Sequence, residues 1–86
     1  MSYPEEQIYS EVAREVERAQ ALFAPMHSAH EAAAVILEEY EEFWDEVKRK
    51  ERDYLSMRKE LIQLAAMAIR AILDLRLDDP VPEEGR

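Results

Sequence analysis

The chain has 86 residues, 48% of them hydrophobic and 36% charged, which is enough apolar material for one domain, too short for two and too hydrophobic for a disordered polymer. A single glycine at position 85 and the absence of cysteine exclude glycine-rich phosphate loops, dinucleotide fingerprints, disulfides and thiolate chemistry. The net charge of −9 repels a phosphodiester backbone, so no nucleic acid polymer is expected as a partner.

Threonine and asparagine are absent while Ala, Leu, Glu and Arg dominate, and this vocabulary predicts an all-α fold. Pro4 suits a first helical turn, with Ser2 or Tyr3 as cap and Glu5 and Glu6 at the positive end of the helix dipole. Ile8, Val12, Val16, Ala19 and Phe23 recur at helical spacing until Pro25, predicting a first helix over 4–23. Ser28 followed by Glu31 reads as a capping box and starts a second helix, expected over 29–51. On it Ala29, Ala33, Ile36, Tyr40, Phe43 and Val47 share one face, expected to be core, with Trp44 at its edge. Asp53 caps a third helix expected to reach about residue 77.

That third helix is apolar almost all round between 61 and 75, its one polar stripe being Glu60, Gln63, Arg70 and Asp74. Gln63, Arg70 and Asp74 also interrupt it, so it is too polar for a bilayer span and no membrane association is expected. Two amphipathic partners from one small chain hardly enclose such a helix, and a second copy is expected to complete the bundle. The domain is expected to occupy 1–77, with 78–86 a flexible tail. The Glu- and Arg-studded first residues lack the apolar stretch of a secretory signal, and a cytoplasmic location is expected.

Six of the nine residues over 38–46 are acidic. Such a run is often a solvated face, yet Glu39 and Glu42 stand one turn apart, close enough to share one hard cation through oxygen. Glu60 adds a carboxylate from a mostly apolar helix, where a lone charge is costly unless paired or metal-bound. Mg²⁺ meets that need, with Mn²⁺ as the alternative ion. His27 and His30 read as loop groups, and Tyr40, Phe43 and Trp44 as core rather than base-stacking surfaces.

The EEYEE of 38–42 followed by the KELIQ of 59–63, with Glu60 eighteen residues after Glu42, resembles the paired ExxE and ExxD helices of the all-α NTP pyrophosphohydrolases, the MazG-like superfamily. The resemblance covers roughly 28–75. It implies a helical homodimer or dimer of dimers that holds Mg²⁺ on these carboxylates and cleaves nucleoside triphosphates to the monophosphate and pyrophosphate, clearing unwanted nucleotides from the pool. On that resemblance Glu38, Glu39, Glu42 and Glu60 are the candidate metal ligands or water-activating bases, Glu38 and Glu39 first among the bases. The chain departs from the pattern at Gln63, where the family has Asp: the amide still offers oxygen to a metal but no charge. Lys48 and Lys59 are the first candidates to meet the outer phosphates, although basic groups at helix ends also serve the dipole and solubility. The alternative is a non-catalytic helical dimer of the same descent with a degenerate metal site, acting through interactions.

Overall fold

Local sequence accounts for the helices. A computed structural model describes residues 3–77 and contains α1 (Tyr3–Leu22), α2 (Ala29–Lys48) and α3 (Tyr54–Asp74), with no strand among the described residues. The tail expected over 78–86 and the proposed cap Ser2 lie outside those residues. Ser28 caps α2 as expected: its Oγ accepts from the Glu31 N–H at 3.0 Å, and the Glu31 carboxylate accepts from the His27 N–H at 2.6 Å. Asp53 caps α3 through one carboxylate oxygen, which accepts from the Leu55 and Ser56 N–H groups, while the other accepts from the Ser56 hydroxyl.

Two helices end earlier than the apolar pattern suggests. α2 stops at Lys48 rather than near 51 because Arg49 turns extended, at φ −62° and ψ 142°, and the Arg52 guanidinium donates to the Val47 carbonyl at 3.0 Å. α3 stops at Asp74 rather than near 77, in a left-handed turn at Arg76 with φ 57°. There the Leu77 N–H donates to the Ile72 carbonyl and the Arg76 N–H to the Leu73 carbonyl, respectively the six-to-one and five-to-two bonds of a Schellman cap without its usual glycine.

α3 is the middle helix, packing against both α1 and α2, which make no packing contact with each other. Glu11 meets Arg58 and Ala24 meets Arg70, so α1 runs parallel to α3; Met26 meets Asp74, and Glu39 and Glu42 meet Glu60, so α2 runs antiparallel to it. The core is built of small or flexible side chains, Val16, Ala19, Met26, Ala32, Ala66, Met67 and Ala71. None of the large side chains described is completely buried.

The packed face of α2 is rotated from the expected one. Of the expected face Ile36, Phe43 and Val47 are partly covered but Ala29, Ala33 and Tyr40 are exposed, while outside it Ala32 is buried and Val35, Glu39 and Glu46 are partly covered. Small Ala32 lets α2 approach α3 closely, and this turns Glu39 and Glu46 inward. The all-round burial expected of α3 is not reached within one chain: Leu61, Ile69, Ile72 and Leu73 remain exposed.

The connection between α1 and α2 is fastened by α3. Arg70, 4% exposed, donates to the Ala24 carbonyl at 3.1 Å and pairs with Asp74 at 3.4 Å; the same Asp74 oxygen accepts from the Met26 N–H at 2.9 Å. At the other end of the α1–α3 pair, Arg58 donates from its two terminal guanidinium nitrogens to the two Glu11 carboxylate oxygens, at 2.6 and 3.0 Å. This pairing holds the Glu11 carboxyl below its ordinary value.

Candidate functional site

Three carboxylates converge where α2 crosses the first half of α3. The i, i+3 spacing of Glu39 and Glu42 places them on neighbouring turns of α2, and the antiparallel α3 sets Glu60 opposite. One oxygen from each lies within 4.8 Å of the others. Glu39 and Glu60 are partly buried and Glu42 is exposed, so the cluster opens to solvent on the Glu42 side.

The electrostatics follow from this crowding. Oε1 of Glu39 and Oε1 of Glu60 are each buried without a hydrogen-bond partner. Burial first, then the charges of Glu42, Glu60 and Glu38, push the Glu39 carboxyl up to about 7. Burial, with Glu42 and Glu46 assisting and Lys59 opposing, raises the Glu60 carboxyl as well. Two desolvated acceptors facing a third carboxylate form a donor set of hard oxygens that suits a divalent cation such as Mg²⁺ or Mn²⁺. Glu39, Glu42 and Glu60 are thus the residues able to hold one.

The other expected site residues take different positions. Glu38 is exposed and lines a shallow depression on the outer side of α2 with Ala34, Val35, Leu37 and Glu41, reaching the cluster through its charge on Glu39. Gln63 lies one turn beyond Glu60 and lines a polar groove of about 200 Å³ between α1 and α3, with Glu11, Glu15, Arg58 and Lys59 among its walls. Lys59 therefore stands between that groove and Glu60. Lys48 is exposed, 3.3 Å from Asp45 and with its ammonium 5.9 Å from the centre of the Trp44 ring. His27 and His30 are exposed in the α1–α2 connection and the start of α2.

One contributor went unassigned at the level of sequence. Glu46 completes the series 39, 42, 46 on the inward face of α2, raises the Glu60 carboxyl, and is itself paired with Arg49 at 3.3 Å. Its spacing carried the signal, since 39, 42 and 46 recur at helical intervals on one face of α2. Comparison of the chain with protein-family models, with curated proteins and with solved structures finds no match in any of the three.

Proposed function

We propose that Glu39, Glu42 and Glu60 bind Mg²⁺ or Mn²⁺ and that the chain is a metal-dependent nucleoside triphosphate pyrophosphohydrolase of MazG-like descent. The observation that carries this reading is the pair of buried, unpartnered carboxylate oxygens on Glu39 and Glu60, brought together from two helices beside Glu42. The bound ion supplies positive charge for the phosphate oxygens and for the departing pyrophosphate. In the overall reaction water adds to the α-phosphorus, the α–β anhydride bond breaks, and nucleoside monophosphate and pyrophosphate leave.

The chain's own groups divide the remaining work. Glu38, in solvent beside the cluster, and any Glu39 oxygen left free orient the attacking water and accept its proton. Lys59, next to Glu60 and at the rim of the polar groove, meets the outer phosphates. Lys48 is the second candidate for that contact, once it leaves Asp45. The reading includes a homodimer or dimer of dimers, supported by the apolar side chains that α3 leaves uncovered, and a cytoplasmic setting in which nucleotides are its substrates. No described helix is long and apolar enough to cross a membrane.

The test is calorimetric titration with Mg²⁺ and Mn²⁺, followed by a pyrophosphate-release screen over common and damaged nucleoside triphosphates. Binding and release by the natural chain, both lost in Glu60→Gln, support the reading. A second reading, a non-catalytic dimer with a degenerate site, is favoured by Gln63, which brings no charge where the resembling motif has Asp. Saturable metal binding without pyrophosphate release from any nucleotide would select it.

A further inference from the structure

Gln63 stands where the chain departs from the motif it resembles, and its surroundings are not those of the acidic cluster. It follows Glu60 by three residues, which sets it about 60° round α3 and about 4.5 Å further along. Glu60 meets Glu39 and Glu42 of α2, whereas Gln63 lines the groove of about 200 Å³ between α3 and α1. Its side chain is partly buried there, and its amide makes no hydrogen bond to any described residue. An amide in that condition keeps two donors and one acceptor oxygen for a ligand.

The charged walls of the groove are already committed. Glu11 accepts from both terminal guanidinium nitrogens of Arg58, at 2.6 and 3.0 Å. Glu15 accepts from the Arg18 guanidinium at 3.1 and 2.6 Å. Leu55 and Ile62 add apolar wall, and Lys59 stands exposed at the rim beside Glu60. Two carboxylates on the α1 side repel a polyphosphate, so the interior suits an uncharged, partly apolar group with a hydrogen-bonding edge. Sites that enclose a whole drug-sized ligand span roughly 300–1,000 Å³, so this smaller groove takes one ring system and leaves the rest of the molecule outside.

We propose that Gln63 is a specificity-determining residue whose amide reads the edge of a nucleobase seated in the α1/α3 groove, and that it is not a metal ligand. A nucleobase is a flat, uncharged ring with adjacent hydrogen-bonding atoms on its edge, and a carboxamide matches such an edge through two hydrogen bonds. The phosphates stay with the ion at Glu39, Glu42 and Glu60, one helical turn away. Glutamine in place of the acidic residue of the resembling motif then serves recognition at the cost of one ligand charge. The inference rests on the nucleotide reading proposed above and supplies its base determinant.

The experiment is calorimetric titration of the full chain, in Mn²⁺, with the non-hydrolysable α,β-methylene triphosphates of the four common bases and with inorganic triphosphate, which has no base. The natural chain is expected to bind the best of the four about tenfold tighter than the worst and about tenfold tighter than inorganic triphosphate. Gln63→Met, unbranched and of similar length, is expected to bring all four to the level of inorganic triphosphate, with helical circular dichroism and Mn²⁺ affinity retained. Gln63→Asn, polar but one methylene shorter, is expected to lose most of the preference too. Four analogues that bind the natural chain no better than inorganic triphosphate overturn the proposal, as do Gln63 variants that keep the preference. A Gln63→Met chain that loses Mn²⁺ as Glu60→Gln does makes Gln63 a metal ligand and overturns it as well. Failure of Mn²⁺ and inorganic triphosphate to bind the natural chain at all removes the nucleotide reading itself, whereas their binding without any base preference removes this inference alone.

Discussion

Glu39 on α2 and Glu60 on α3 face each other across an antiparallel helix pair, each with one carboxylate oxygen buried and without a hydrogen-bond partner. Helix packing that brings like charges together in this way leaves the folded state with a repulsion that the unfolded chain escapes.

Divalent cations are therefore expected to stabilise the fold. The gain follows RT ln(1 + [L]/Kd), about 2.7 kcal/mol at a hundredfold excess over Kd, and appears as a higher melting temperature in millimolar Mg²⁺ or Mn²⁺. Glu39→Gln removes one repelling charge, so it is expected to raise the melting temperature without metal and to weaken metal binding at least tenfold, or about 1.4 kcal/mol. A melting curve that ignores both ions counts against the metal site.

Without metal, stability is expected to fall as pH rises from about 5 to 8. The Glu39 carboxyl stands at about 7 in the folded chain, above its ordinary value of 4.5, so between those values the folded state holds a proton that the unfolded state has released. Its contribution is present below 4.5 and lost as pH climbs through 7, on the scale of about 1 to 2 kcal/mol after screening by solvent. The Glu11 and Asp53 carboxyls, both held below their ordinary values, act with the opposite sign: their contribution is present above those values and lost as pH drops further. Urea unfolding across pH 3 to 9 should place maximum stability near pH 5, and saturating Mg²⁺ should flatten the decline above it.

Asp74→Ala is expected to be far more harmful than a typical surface change. It strips the partner from Arg70, which is 4% exposed, and frees the Met26 N–H as well. An uncompensated buried charge costs about 3–5 kcal/mol, a large part of the stability of a chain this size. Replacing both residues, Arg70→Met with Asp74→Leu, should cost less than Asp74→Ala alone when the three are compared by urea unfolding.

Arg76→Gly is expected to be stabilising. Arg76 holds φ 57° in the cap that ends α3, where a side chain costs roughly 1–2 kcal/mol. Glycine recovers that strain but adds unfolded-state entropy, leaving a net gain of about 0.5–1 kcal/mol in urea unfolding. Arg76→Val, β-branched at the same position, should lower stability.

The three helices and two of their caps were legible because they depend on groups within four residues of one another. Ser28 and Glu31, or Asp53 and Ser56, make the same bonds whatever the rest of the chain does. The acidic run of α2 and the carboxylate of Glu60 were equally visible as candidate cation ligands. Which side of α2 meets α3 was legible only in part: of the expected face Ile36, Phe43 and Val47 are partly covered, but Ala29, Ala33 and Tyr40 are exposed and Ala32 is buried in their place. Tertiary packing turned the helix toward Ala32, since that small side chain admits close approach to α3 while Tyr40 and Trp44 hold a neighbour away. That rotation of α2 decided that Glu39 loses water and meets Glu60. Arg70 and Asp74 show the same division: their polar stripe was plain in the sequence, but only the folded chain brings them to the Ala24 carbonyl and the Met26 N–H, more than forty positions away. Sequence by itself determined what each helix is made of and where two of them start; the long-range fit of side-chain sizes determined which charges share a site.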